Sequence, residues 1–323
     1  MAFLPISLKQ FYHQRYGRIR FRLLDLLSLG YIGLLALLLP FFHHHVPYWP
    51  QDFLIHVILV IVFLEIIRLG EAHAHNRVLW FLRTFYPIIA IFYGYFEMNH
   101  MNRMFTGSYW AIDLLIEADV AIFGVHPTIW AQRLYTPWLD ELMNVFYVSY
   151  YSFLPLATLP LFLRGKYEET LAAFSIVTLS YCGNFVLFYA FPSLCPRMID
   201  SLQALRTTEY TGYFFGPLTQ QLQSQGAIAG GCFPSTHVSG AMAWALVAWR
   251  YNRRISYVLI PLALGVALAT VYLGYHHALD PIAGIALAFV AYHAGLYLLQ
   301  RRGEDPQAKH QFTKNVNLIE QSL

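Results

Sequence analysis

Eight apolar stretches of 16 to 26 residues recur along the chain, separated by polar segments of which two are long. They run over Leu23–Phe41, Phe53–Leu69, Leu79–Phe96, Trp138–Leu163, Thr170–Ala190, Thr236–Tyr251, Ile255–Gly274 and Pro281–Leu299. A bilayer's hydrocarbon core takes about 20 apolar residues in a helix, so each predicts a membrane-spanning helix. The third is interrupted by Arg83 and Pro87, and the sixth is short. The first is too long for a signal peptide and has no small-residue cleavage pattern after it. The expected fold is all-α: a polytopic integral membrane helical bundle of about eight transmembrane helices.

The basic residues orient it. With eight spans, 17 of the 21 Lys and Arg residues fall on the side that carries the amino-terminal segment. Only Arg103, Arg133, Arg197 and Arg206 fall on the other, although its two long loops, Glu97–Pro137 and Phe191–Ser235, together exceed eighty residues. Cytoplasmic loops hold the excess of Lys and Arg, which predicts both termini in the cytoplasm. Within the first long loop, Tyr109–Gly124 carries Asp113, Glu117 and Asp119 among large apolar residues. It reads as an amphipathic helix on the membrane surface, its acidic residues forming a solvated face or, alternatively, a wall facing substrate.

Composition narrows the class. Hydrophobic types make up 57% of the 323 residues and charged types 12%, against about 45–50% and about 25% in soluble domains. Mean hydropathy is +0.45. A soluble enzyme is thereby improbable, and a net charge of +3 offers no basic face for nucleic acid. Three cysteines make no disulfide scaffold. Those in the outer loops, Cys195 and Cys232, can pair in an oxidising compartment or stay as separate thiols, with Cys182 left over within a span.

Three clusters carry candidate chemistry, all on the non-cytoplasmic side. They are Phe191-Pro-Ser-Leu-Cys-Pro-Arg197, Cys232-Phe-Pro-Ser-Thr-His237-Val-Ser-Gly240, and Val271-Tyr-Leu-Gly-Tyr-His276-His277-Ala-Leu-Asp280-Pro281. His237 and His276 are 39 residues apart, enough for one helix inward and one outward, which returns His276 to the face His237 left. Asp280-Pro281 reads as N-cap and first position of the eighth span, and Pro234-Ser235-Thr236 precedes the sixth. Two helix amino-termini, two histidines and a carboxylate would therefore meet, and amide groups at such termini bind anions. Phosphoryl transfer uses this equipment: a nucleophilic imidazole, a carboxylate holding its tautomer, a second imidazole to protonate the leaving alkoxide and a cation on the phosphoryl oxygens.

Pro-Ser-Thr-His followed about forty residues on by His-x-x-x-Asp resembles the type 2 phosphatidic acid phosphatase superfamily of membrane lipid phosphatases and phosphotransferases, over roughly residues 90–295. The resemblance implies His276 as nucleophile, Asp280 as its orienting carboxylate, His237 as general acid and Arg197 as a phosphate-binding residue. Where the phosphatase branch has Lys seven residues before that arginine and Pro after it, this chain has Ala190 and Met198. Where it has Ser-Arg ahead of the nucleophile, this chain has Ala269-Thr270. These departures, Pro-x-x-x-Pro-Arg and the His-His pair resemble the branch containing inositol phosphorylceramide synthase and sphingomyelin synthase.

The expected protein is thus a membrane-embedded enzyme that moves a phosphoryl or phospho-head group from a lipid phosphate ester to an alcohol such as inositol or a lipid hydroxyl. The alternatives are a lipid phosphatase releasing phosphate to water and a non-catalytic transporter or scaffold. Residues 1–300 would form a single transmembrane catalytic domain with its core at 138–300, and 301–323 a polar cytoplasmic tail. Ser235, Thr236 and Gly240 read either as cap and packing residues or as part of the phosphate site. His277 reads as a packing or supporting residue. No cofactor is implied, and no set of residues stands out as a zinc or magnesium site. The setting would be a bacterial inner membrane or a eukaryotic endomembrane, with the site on the periplasmic or lumenal side.

Overall fold

The computed structural model describes Tyr16, residues 19–73 and residues 75–308. Lys9, Arg15, Arg18, Lys309 and Lys314, which entered the charge bias, and the end of the expected tail from 309 onward lie outside the described residues. The long helices are α1 (Leu23–Phe42), α2 (Trp49–Ala72), α3 (Arg77–Phe85), α4 (Pro87–Met101), α5 (Ile112–Phe123), α6 (Pro137–Leu163), α7 (Tyr167–Ala190), α8 (Phe215–Gly226), α9 (Thr236–Tyr251), α10 (Arg253–Tyr272) and α11 (Leu279–Arg301). No strand longer than an isolated bridge occurs among the described residues. The fold is all-α.

Among the described residues, seven helical segments are long and apolar enough to cross a membrane, with α3 and α4 counted together over Arg77–Met101. Pro87 divides that segment because it brings no amide to the helix. The sixth expected span, α9, is the exception. Its 16 residues rise about 24 Å at 1.5 Å each, short of a hydrocarbon core of about 30 Å. Twelve of them are buried, because α9 is packed by α6, α7, α10 and α11 rather than by lipid. Its Gly240, Ala241, Ala243, Ala245 and Ala248 let neighbouring backbones approach closely. On α11, a Cβ at Gly284 would stand 2.9 Å from the Ser235 carbonyl oxygen.

Helix α7 is the other buried element, joined to α9 in one core by Phe174, Phe185 and Trp244. Helices α1, α2 and α4 share a second cluster around Ile32, Phe63 and Ile67 and lean on α7 through α1 and α4. Ion pairs close one end of the bundle. Arg83 pairs with Asp25 at 2.7 Å with both side chains fully buried, Arg22 with Glu168 at 2.6 Å, and Arg250 with Asp305 at 2.6 Å. Glu304 accepts the Leu23 amide at 2.8 Å. Glu304 and Asp305, read from sequence as the start of a polar tail, are therefore buried. The amino-termini of α9 and α11 lie at the other end.

Candidate active site

The loop between α10 and α11 is short and heavily bonded. The amides of Tyr275 and His276 both donate to the Thr270 carbonyl, at 2.9 and 3.0 Å. Gly274 makes the turn with φ +78°, a conformation that favours glycine. A Cβ there would also stand 2.9 Å from Arg206 Nη1. Helix α11 begins at Leu279, so Asp280 lies in its first turn and not at the N-cap as the sequence suggests. The capping is done from elsewhere. Asp119 of α5, buried at 2% exposure, accepts the amides of Ala278 at 3.0 Å and Leu279 at 3.2 Å.

That frees the Asp280 carboxylate for its neighbours. Its Oδ2 accepts the His277 amide at 2.9 Å, the Cys232 thiol at 2.9 Å and His276 Nδ1 at 3.0 Å. With Nδ1 so held, Nε2 is the nitrogen of His276 left for chemistry. The second motif docks directly, since the Ser235 amide donates to the Asp280 carbonyl at 3.1 Å. Ser235 Oγ accepts the Val238 amide as the α9 N-cap. His237, one residue into α9, places its ring 5.9 Å from that of His276 and bonds through Nε2 to the Tyr147 hydroxyl at 3.0 Å. His237 Nδ1 and Asp280 Oδ1 are buried with no hydrogen-bond partner among the described residues.

His237, His276 and Cys232 line one cavity together with Tyr147, Tyr275 and Tyr95. Arg197 is not on that wall. It stands behind Tyr275, its guanidinium 4.4 Å above the ring centroid, its Nε donating to the Leu273 carbonyl at 2.6 Å and its amide to Gly274 at 3.2 Å. Arg206 comes beside it over Gly274. Burial and then the neighbouring Arg197 lower the pKa of Arg206, and neither arginine forms an ion pair among the described residues. Both cations stand against Gly274 of the histidine loop, and Asp140 is close enough to interact with the charge of Arg197.

The remaining sequence candidates divide. Thr236 is buried at the start of α9. Gly240 serves packing, for a Cβ there would stand 2.5 Å from the Tyr181 hydroxyl. His277 turns away, with Nδ1 3.7 Å from Asp119 and Nε2 bonded to the Leu194 carbonyl. Burial opposes its charge, but Asp119 and Asp280 outweigh that and raise its pKa. On α5 the expected solvated face holds for Asp113 and Glu117, which are exposed, but not for Asp119. All three cysteines are free, so the possible bridge between Cys195 and Cys232 is not formed. Burial raises the Cys195 thiol to about 11, and burial and Asp280 push Cys232 well above its ordinary value. Where the sequence singled out no metal-ligand set, the structure brings one together: the ligand atoms of Cys232, His276 and Asp280 lie within 4.8 Å of one another.

A bundle of long apolar helices with a buried histidine–carboxylate cluster at one end defines a polytopic membrane protein with catalytic potential. The profile of the PAP2 superfamily matches residues 114–294, which include Asp119, both histidine motifs and the arginine loop, and the chain belongs to that superfamily. No curated protein and no solved structure matches it. The family and the membrane-spanning helices together support a phosphatase- or phosphotransferase-type activity at a membrane, on a lipid-related substrate.

Proposed function

We propose that the protein transfers a phosphoryl or phospho-head group from a membrane lipid through a phosphohistidine on His276. The observation that carries this reading is the His276 Nδ1–Asp280 Oδ2 contact of 3.0 Å, with His237 facing His276 across the same cavity. Asp280 fixes the proton of His276 on Nδ1, which leaves the Nε2 lone pair to attack phosphorus. As the N–P bond forms, the P–O bond to the lipid breaks, and protonated His237 gives its proton to the departing oxygen. An acceptor hydroxyl then surrenders its proton to His237 and attacks phosphorus, the N–P bond breaks, and both histidines return to their starting state.

Arg197 and Arg206 supply positive charge, which the helix amino-termini of α9 and α11 supplement by about half a charge each. The Ser235–Thr236 turn opens α9 toward the same end. Ala269 and Thr270, which stand in place of the phosphatase branch's third-motif Ser-Arg, are fully buried in α10. No cation replaces that arginine from its own position, and we assign the role to Arg206 because its guanidinium lies beside Gly274 of the histidine loop. The departures at Ala190, Met198 and Ala269-Thr270, which resemble the transferase branch, are what supports transfer to an alcohol such as inositol or a lipid hydroxyl over release to water. The domain would span residues 1–300 with its catalytic core at 138–300, cross the membrane eight times with α9 as the sixth span beside the seven long apolar segments, keep both termini in the cytoplasm and work on the periplasmic or lumenal side.

The test is to incubate the purified protein with lipid phosphates and phospholipids, each with and without inositol, and to identify the products. A new phospho-inositol lipid supports the transferase, free phosphate as sole product makes the enzyme a phosphatase, and no product from any donor refutes the catalytic reading.

A further inference from the structure

Cys232 has no part in the phosphoryl-transfer cycle, yet its thiol is buried against the two groups that prepare the nucleophile. Its Sγ lies 2.9 Å from Asp280 Oδ2 and 3.5 Å from His276 Nδ1, and the third edge of the triangle is 3.0 Å. Zinc with bonds of about 2.3 Å to sulfur and about 2.0–2.1 Å to nitrogen and oxygen needs ligand–ligand edges of about 3.3–3.6 Å in a tetrahedron. The sulfur–nitrogen edge is already there; the nitrogen–oxygen edge needs to open by about 0.3 Å and the sulfur–oxygen edge by about 0.6 Å. Asp280 Oδ1, buried without a hydrogen-bond partner among the described residues, gives the carboxylate a second oxygen to turn toward an ion. Cys232 and His276 both line the cavity, which offers an entry path and a fourth position for water.

We infer that Cys232, His276 and Asp280 form a binding site for a zinc-like divalent cation, and that an ion there blocks the phosphoryl-transfer site. Its charges suit a buried place: one thiolate and one carboxylate neutralise the 2+ ion, and the imidazole enters neutral. Binding expels one proton from the thiol. It also takes the Nδ1 lone pair of His276, so the ring proton moves to Nε2. The nitrogen that must attack phosphorus is then protonated and no longer a nucleophile. Metal binding and catalysis use opposite tautomers of one ring, which makes them mutually exclusive. Binding stands on the geometry alone, whereas the block rests on His276 acting as nucleophile.

The test uses purified full-length protein, stripped with chelator and then titrated with Zn²⁺ or Co²⁺ alone. Equilibrium dialysis counts bound zinc, and a thiolate-to-cobalt charge-transfer band reports a cysteine ligand, which the His43–His45 run does not produce. The inference predicts one Zn²⁺ bound with this band, loss of both in Cys232→Ser, and turnover that falls in step with occupancy and returns with chelator. Serine keeps a donor for Asp280, and the melting temperature checks that the variant folds. No cysteine-dependent binding, or equal binding by folded Cys232→Ser, would overturn the site. Occupied protein with undiminished turnover would overturn the block. Trapping the covalent intermediate in metal-free protein tests the nucleophile separately, so the two failures are distinguishable.

Discussion

Asp119 is the residue through which the surface helix α5 reaches the reacting groups. Its two carboxylate oxygens hold the amides of Ala278 and Leu279, the start of the helix that carries Asp280. Removing an N-cap costs about 0.5–2 kcal/mol, and a hydrogen bond to a charged group is worth about 1.5–3 kcal/mol. Asp119→Ala should therefore destabilise the protein by about 2–4 kcal/mol. Its effect on rate should be larger than a stability loss alone explains. His276 and Asp280 flank the two released amides, and a displacement of about 1 Å between reacting groups costs about a hundredfold. The loss should fall on kcat, with KM nearly unchanged, because Asp119 does not line the cavity. Asp119→Asn keeps one acceptor oxygen and should lie between. Asp113→Ala, an exposed change on the same helix, should stay within about 0.5 kcal/mol of the parent. Thermal unfolding in detergent and initial rates on the best donor lipid measure both quantities. A wild-type melting temperature and kcat in Asp119→Ala would refute the bracing role.

Arg197→Lys should lower kcat, since lysine cannot keep both the Nε–H bond to the Leu273 carbonyl and the planar stack on Tyr275 that hold a cation behind the cavity; unchanged kinetics on a lipid phosphate would move the phosphate-binding role to Arg206. His237→Ala should slow transfer from lipid alkoxides by about 10²–10⁴ and much less from an aryl phosphate, whose leaving group needs no proton; an equal loss on both would remove it as the acid. Arg83→Ala leaves Asp25 buried without its cation and should cost about 3–5 kcal/mol in detergent unfolding, with much of it recovered by adding Asp25→Asn. An unchanged melting temperature in Arg83→Ala would contradict the pair's structural weight.

The long apolar runs made the helical membrane bundle legible because lipid demands a mostly apolar run from a helix it touches, and even the segment broken by Arg83 and Pro87 keeps one. Helix α9 escaped that rule. A helix enclosed by other helices answers to their packing, and so its 16 small-residue-rich positions are shorter than a lipid-facing span. His237, His276 and Asp280 were legible because their spacing survives any detail of packing: one helix in, one helix out. The partners that arrive from distant segments were not. Tyr147 is one tyrosine among 23, and nothing in its neighbours marks it as the hydroxyl that meets His237. Asp119 sits on a helix with two exposed acids and looks like a third. Its burial depends on where α5 docks, which local periodicity does not encode. Cys232 could be read as a loop thiol available for pairing, but its contact with Asp280 exists only once Ser235 has bonded to the head of α11. Arg206 lay outside every motif and reaches the site through the glycine turn at Gly274.

A covalent phosphoryl group on His276 is the point on which the proposed chemistry stands. Metal-free protein mixed with donor lipid labelled at phosphorus, quenched within one turnover in base and digested, should yield a base-stable, acid-labile phosphorylated peptide carrying His276. The label should leave on adding the acceptor alcohol, should persist longer in His237→Ala than in the parent, and should be absent in His276→Ala. Product formation at the parental rate by His276→Ala, or a label that maps to another residue, would contradict it.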